Sequence, residues 1–328
     1  MAVPPSAPPL SSLSAHLLAA SFAISYVGSL YLSKHSRLRF SSTAVAHNQN
    51  DVPRQKYDGE RWRDDPDVIR ARLTAVTLST LLSCATIGWV LNHVDHGNSS
   101  TGDLICATLY WIGLGVDLSP AALKTIFLSS LITVVLFLGP LYGYYLDSSL
   151  PFQSRFSFKR DVYSVIRTWI GWRNYIIAPI TEEVVFRACV LAVYHMSGAS
   201  VNKMIFLSPL WFGVAHMHHA WDVYNRFGRT TAALRRAILG TCFQLTYTSL
   251  FGSHVAYLFL RTGSILPPIT AHIFCNVMGF PALIEDLARY SKRRYVIWFA
   301  YTMGVAGYVY TRSRWSENPD SPYWNHSF

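Results

Sequence analysis

Charge is what this chain has least of. Of its 328 residues only 14% are charged, where soluble globular proteins carry roughly 25%. Its hydrophobic share of 51% excludes a disordered tail and argues against a soluble domain. Cysteine is also sparse. Cys84, Cys106, Cys189, Cys242 and Cys275 form no C-x-x-C pair, which argues against a zinc ribbon, a thioredoxin-like motif or a disulfide ladder. All five lie in or beside apolar runs and are expected to be small packing residues. No H-E-x-x-H, no G-x-S-x-G elbow and no internal repeat is present. Those absences speak against a zincin, a serine hydrolase of the usual α/β type and a repeat-built transporter. The first nine residues hold no basic residue, so the opening apolar run reads as a retained anchor rather than a cleaved signal.

Long apolar runs are what the chain does have. They cover residues 10–33, 73–94, 121–146, 175–196, 204–216, 237–260, 264–284 and 296–311. Most approach the roughly 20 residues that cross a bilayer as a helix. The expected fold is therefore all-α: a polytopic transmembrane bundle of about eight spans with a polar catalytic cavity inside the membrane. The shorter piece at 104–116 is expected at the interface or re-entering. One integrated membrane domain is expected, with N-terminal helices and a basic loop in 1–160, core helices in 161–290, and a last helix and tail in 291–328.

The net charge of +10 is unevenly placed. Residues 34–72, 147–162, 219–236 and 285–294 carry nine, three, four and four Lys or Arg, twenty in all. The segments expected on the opposite side carry four, and the last four of the 28, Lys124, Arg167, Arg173 and Arg187, fall within the expected helical segments themselves. By the positive-inside rule the twenty mark the cytoplasmic face and both termini lie on the other side. A collar facing anionic lipid explains the basic balance without nucleic acid. The sequon at Asn98 falls in a loop assigned to the lumen, which is consistent.

Against this background a few ionisable side chains stand out: Glu182, Glu183, Arg187, His216 and His272, with the carboxamide of Asn276. Each such charge at membrane depth costs about 2.5–3.5 kcal/mol even on the lenient scale. Glu183 and Arg187 are four apart in the order that favours a helical ion pair, so a structural, supporting role is expected for them. Glu182 is turned about 100° from Glu183 and has no local partner at helical spacing. His216 follows Phe212 by four, and a lone histidine there is more often a satisfied core residue than a catalyst. His218 and His219 are expected at the interface, and their spacing places no two metal ligands on one helical face. His272 and Asn276 share a face and both can donate hydrogen bonds. Pro267-Pro268 suits a helix start whose positive end keeps His272 neutral. A carboxylate and an imidazole that hold a water, with two donors for an oxyanion, suit amide hydrolysis.

The order E-E-x-x-x-R, F-x-x-x-H, H-x-x-x-N on apolar helices resembles the CPBP/ABI membrane proteases. Residues 176–187 (Ile-Ile-Ala-Pro-Ile-Thr-Glu-Glu-Val-Val-Phe-Arg) and 210–216 (Leu-Trp-Phe-Gly-Val-Ala-His) are similar more narrowly to its eukaryotic branch, the type II CAAX prenyl endopeptidases. The resemblance is specific over 178–280. It implies removal of the last three residues from proteins whose CAAX cysteine is already prenylated, farnesylated or geranylgeranylated Ras-like small GTPases among them, in the endoplasmic reticulum membrane. It also implies that Glu182 and His216 activate water without metal or covalent intermediate, that His272 and Asn276 form the oxyanion hole, and that no cofactor is required. The alternative from the residues alone is a proton- or ion-coupled transporter that relays protons through Glu182 and His216.

Overall fold

The computed structural model describes residues 8–41, 52–115 and 117–324. Within them every regular element is a helix, apart from one isolated antiparallel bridge between Arg39 and Arg61. The helices are α1 (Ser12–Leu32), α2 (Pro66–Val94), α3 (Thr101–Trp111), α4 (Pro120–Leu136) and α5 (Leu138–Leu146). Next come α6 (Ala178–Glu183), α7 (Val190–Met196), α8 (Val201–Ala215) and α9 (His219–Arg226). A long α10 (Thr231–Thr262) leads to α11 (Leu266–Met278), α12 (Leu283–Arg289) and α13 (Arg294–Trp315). Three π-helical turns, Phe158–Tyr163, Arg173–Ile177 and Val184–Cys189, interrupt the middle of the chain.

The chain divides into two compact units. The described residues of the first are 8–41, 52–108 and 184–257; those of the second are 109–115, 117–183 and 258–324. In the first unit α1 begins cleanly because Ser11 caps it, its side chain accepting from the Ser14 N–H. Its buried stripe Ala15, Ala19, Phe22 and Tyr26 faces α2, α7, α8 and the π turn Val184–Cys189. Tyr26 meets the Phe186 ring edge-on with centroids 5.4 Å apart. Residues 183–196 are buried throughout, so no face of that segment is left to solvent or lipid.

In the second unit α13 packs on α4 and α5. The close approach requires glycine: a Cβ at Gly304 would stand 2.8 Å from the Leu136 carbonyl oxygen, and one at Gly139 would enter the Tyr301 ring. Beyond α13 the chain folds back, with Tyr323 buried and its hydroxyl donating to the Trp111 carbonyl. Ser321 Oγ donates to the Leu260 carbonyl at 2.7 Å.

By length and composition α1 and α2 can each cross a membrane. Two bent pairs raise the number to four if each is one span: α4 with α5, at 65°, and α11 with α12, at 41°. This is fewer than the eight apolar runs suggest, and the reasons are local. The run at 175–196 is cut by the π turn Val184–Cys189, and the helix over 201–215 has 15 residues with Pro209 inside it. The 32-residue α10 carries Gln244, His254 and a series of hydroxyls along its length. Of the piece at 104–116, residues 104–111 belong to α3, and Val116 lies outside the described residues. Cys106 and Cys242 are exposed rather than packed inside, whereas Cys189 and Cys275 are buried.

Part of the basic loop is tied down in the first unit. Arg54 and Glu60 form a buried pair at 2.6 Å. Arg54 also bonds the α9 end, Nε to the Asn225 carbonyl and its backbone N–H to the Arg226 carbonyl. Burial alone would push the Glu60 carboxyl up. The Arg54 hydrogen bond, the Ser41 and Tyr57 backbone N–H groups and the Arg54 charge outweigh that and hold it at about 2. A depressed carboxylate stabilises above its ordinary value of 4.5 and stops doing so as pH falls through the folded value. Hydrogen exchange of residues 54–61 should therefore stay slow at pH 5 and, with intrinsic exchange rates corrected, rise progressively between about pH 4.5 and 2. Glu60→Gln should already show the loosened exchange at pH 5.

Candidate active site

In the second unit α6 ends on Glu182 and Glu183, directly before the chain widens into the π turn. Pro267 and Pro268 open α11, as the sequence predicts, since proline has no N–H to waste in a first turn. One turn further on, His272 points at both carboxylates. Its Nδ1 lies 2.6 Å from Glu183 Oε1, and its Nε2 lies 3.7 Å from Glu182 Oε2. Glu183 is fully buried and His272 nearly so. Asn276, one turn beyond His272, donates from Nδ2 to the Asn174 carbonyl at 2.8 Å, which orients the carboxamide and leaves its second N–H to donate elsewhere.

The hydrogen bond to Glu183 bears on what His272 can do. Against an ionised Glu183, Nδ1 must carry a proton, and a neutral ring would then present a bare lone pair at Nε2. For Nε2 to donate, either the ring holds two protons or Glu183 holds one. The neutral-donor reading of His272 is thus tied to a protonated Glu183.

In the first unit Phe212 lies on α8 and His216 caps its end. The His216 backbone N–H turns to the Gly213 and Val214 carbonyls, and the imidazole takes up the Phe212 carbonyl through Nδ1 at 2.8 Å. A carbonyl can only accept, so the neutral ring carries its proton on Nδ1 and its lone pair on Nε2, the tautomer a general base needs. The ring also stands edge-on to Phe212 at 4.5 Å. Arg187, in the π turn and 1% exposed, lies over the Phe212 ring at 4.2 Å and faces Phe251 at 5.9 Å. His218 and His219, expected at the interface, are half-buried. Among the described residues no three His, Cys, Asp or Glu side chains converge to hold a metal ion.

Two interactions escape local sequence reasoning. Glu183 hydrogen-bonds His272, 89 residues away. The Asn174 partner of Asn276 is 102 residues away. No local periodicity signals either contact.

Fold and site define the class first: an all-helical protein with membrane-type apolar helices and a buried carboxylate–imidazole cluster. Residues 164–278 match the family described as type II CAAX prenyl endopeptidase Rce1-like. The chain is 32% identical over 295 residues to CAAX prenyl protease 2 of Homo sapiens, covering 87% of this chain and 76% of that protein. It is 31% identical over 253 residues to probable CAAX prenyl protease 2 of Schizosaccharomyces pombe, covering 77% and 82%. Over 138 residues it is 41% identical to CAAX prenyl protease 2 of Arabidopsis thaliana, 42% of each chain. No solved structure matches. The chain belongs to the type II CAAX prenyl endopeptidase family. Nothing in these similarities supports the transporter alternative.

Glu183→Ala would leave His272 Nδ1 buried without this hydrogen-bond partner, at a cost of about 1–3 kcal/mol. Arg187→Leu would remove the cation from over Phe212, worth about 2 kcal/mol when desolvated. Both variants should unfold at lower temperature than the parent in detergent. Unchanged thermal midpoints in both would refute their structural roles.

Proposed function

We propose that this chain is an intramembrane endopeptidase that removes the C-terminal tripeptide from prenylated CAAX proteins. The observation that carries the chemistry is the His272 imidazole set against Glu182 and Glu183. Family membership carries the substrate class. Glu182 and His216 are the water-activating pair: one carboxylate beside an imidazole on α11, and one imidazole whose tautomer is set by a backbone carbonyl. Water loses a proton to this pair as its oxygen attacks the carbonyl of the prenylated cysteine. The oxyanion of the tetrahedral intermediate accepts from His272 Nε2–H and the Asn276 amide, where one good donor is worth about 3–4 kcal/mol. Collapse breaks the C–N bond, and the proton taken from water passes to the leaving amine. The products are a prenylcysteine carboxylate and a free tripeptide.

Eight crossings, counting the interrupted and the more polar helices, and a cytosolic basic face remain the proposed topology, in the endoplasmic reticulum membrane. Prenylated tails are made in the cytosol, and each buried CH₂ of the lipid contributes about 0.8 kcal/mol to keeping it in an apolar phase. A lateral opening would let the lipid stay in the bilayer while the peptide reaches Glu182. Ras-like small GTPases fit as substrates.

Membranes containing the protein should release an intact tripeptide from a farnesylated CAAX peptide, read by mass spectrometry. Glu182→Ala and His216→Ala should insert and accumulate normally yet lose turnover by at least about 10²-fold. Cleavage near the parent rate by either variant would remove that residue from the mechanism. The lipid dependence is checked separately: an unprenylated peptide should be a far poorer substrate, and single cysteines placed in 52–65 or 226–236 should label from the cytosolic side alone.

A further inference from the structure

One stretch of the second unit packs chiefly on itself. After α5 the chain runs through residues 150–172 before reaching the turn Arg173–Ile177 that leads into α6. Two bonds tie its start to the end of α5: Gln153 Nε2 donates to the Tyr145 carbonyl at 3.2 Å and the Arg155 N–H to the Ser148 carbonyl at 2.9 Å. Beyond them come the π turn Phe158–Tyr163 and the short helices Ser164–Ile166 and Trp169–Trp172. These pack mainly against one another and against Arg173–Ile177. From 151 to 172 only Gly171 is buried.

Such exposure would suit a polar loop, but many of these side chains are large and apolar. Phe152, Phe158 and Tyr163 are exposed, as are Ile166, Trp169 and Trp172. Phe152 even takes a left-handed backbone at φ 70° with its ring fully exposed, a costly conformation for a bulky residue with no packing inside the protein to offset it. Basic side chains are interleaved with the rings. Asp161 is the one acid in 150–172, and Arg160 holds it through Nε at 2.7 Å and Nη2 at 2.9 Å. Asp147, the acid that precedes the stretch, is taken by Arg289 at 3.0 Å. Arg155, Lys159 and Arg167 are exposed, with Arg167 lying over the Tyr163 ring at 5.4 Å.

We infer that residues 151–172 form an arm lying in the headgroup layer of the membrane, where Arg155, Lys159 and Arg167 bind the headgroups of anionic phospholipid. Tryptophan and tyrosine settle at that depth because one part of each ring is apolar and another polar. Neutral lipid would cover the rings but leave three cations without counter-charge, whereas an acidic leaflet meets both needs. The turn Arg173–Ile177 follows without a break, and its Asn174 carbonyl holds the Asn276 amide at 2.8 Å. The arm thereby ties the leaflet surface to one of the polar groups of the candidate site. This seat stands independently of the reaction proposed there.

The test places the full-length protein in nanodiscs of phosphatidylcholine, with or without phosphatidylserine. A spin label is attached at Phe158→Cys, with the exposed Cys106 and Cys242 changed to serine. Relaxation by oxygen, which concentrates in the bilayer, and by a water-soluble nickel chelate reads the depth of the label. With phosphatidylserine present, oxygen should reach it well above the chelate. Each cation at an anionic surface is worth roughly fivefold in the ratio of seated to lifted arm. Omitting phosphatidylserine, or Arg155→Gln/Lys159→Gln/Arg167→Gln, should therefore lower that ratio by on the order of a hundredfold. A label open to the chelate in both lipids, the result a protein-covered face would give, would overturn the arm. A seated label indifferent both to phosphatidylserine and to the three cations would overturn the anionic seat. Should the triple variant fail to accumulate, Lys159→Gln alone decides: it must lower the ratio by roughly fivefold in the acidic discs only, and no change there would overturn the seat.

Discussion

A buried polar group must find a partner inside the protein, and in this chain that constraint converges on one hydrogen bond, His272 Nδ1 to Glu183. Glu183 is wholly buried in an apolar helical segment, where an uncompensated carboxylate would be among the most expensive groups to keep. The bond holds α11 against the end of α6, turns the ring so that Nε2 faces Glu182, and sets which protons the ring can carry. Asn276 follows on the same helix, its amide held by the Asn174 carbonyl. What the second unit can offer to chemistry follows from that pairing.

The first unit solves the same problem with different groups. Arg187 is buried against two aromatic faces, Phe212 and Phe251, and a guanidinium suits contact with them because it is weakly hydrated and is attracted by ring quadrupoles. The same Phe212 supplies the carbonyl that sets the His216 tautomer and the ring on which His216 rests. Arg187 therefore bears on His216 through Phe212, and the F-x-x-x-H spacing has a mechanical meaning: the fourth residue reaches back to the first one's carbonyl where the helix ends.

Between Glu183 and Arg187 the backbone changes from α to π. An i→i+5 turn alters the angular step that an α-helical wheel assumes, and such turns are frequent at functional sites. The hydrogen bond found for Glu183 is with another helix, a contact that four-residue spacing does not address. The π turn at Arg173–Ile177 similarly precedes α6 and supplies the Asn174 carbonyl to Asn276.

Composition, apolar runs and motif order were enough to determine an all-helical, membrane-type chain and to single out Glu182, Glu183, Arg187, His216, His272 and Asn276, because burial preference and i,i+4 geometry are local properties that a sequence carries on its face. The run lengths could not reveal where a helix breaks or widens, since a π turn and a bend at Phe137 cost little and depend on what packs against them. The partners of Glu183 and Asn276 lie 89 and 102 residues away, and the docking of Arg54 on α9 spans 171. Such pairings are chosen by the packed helices, which bring together groups that no periodicity connects, and so the tertiary structure alone decided which carboxylate orients His272.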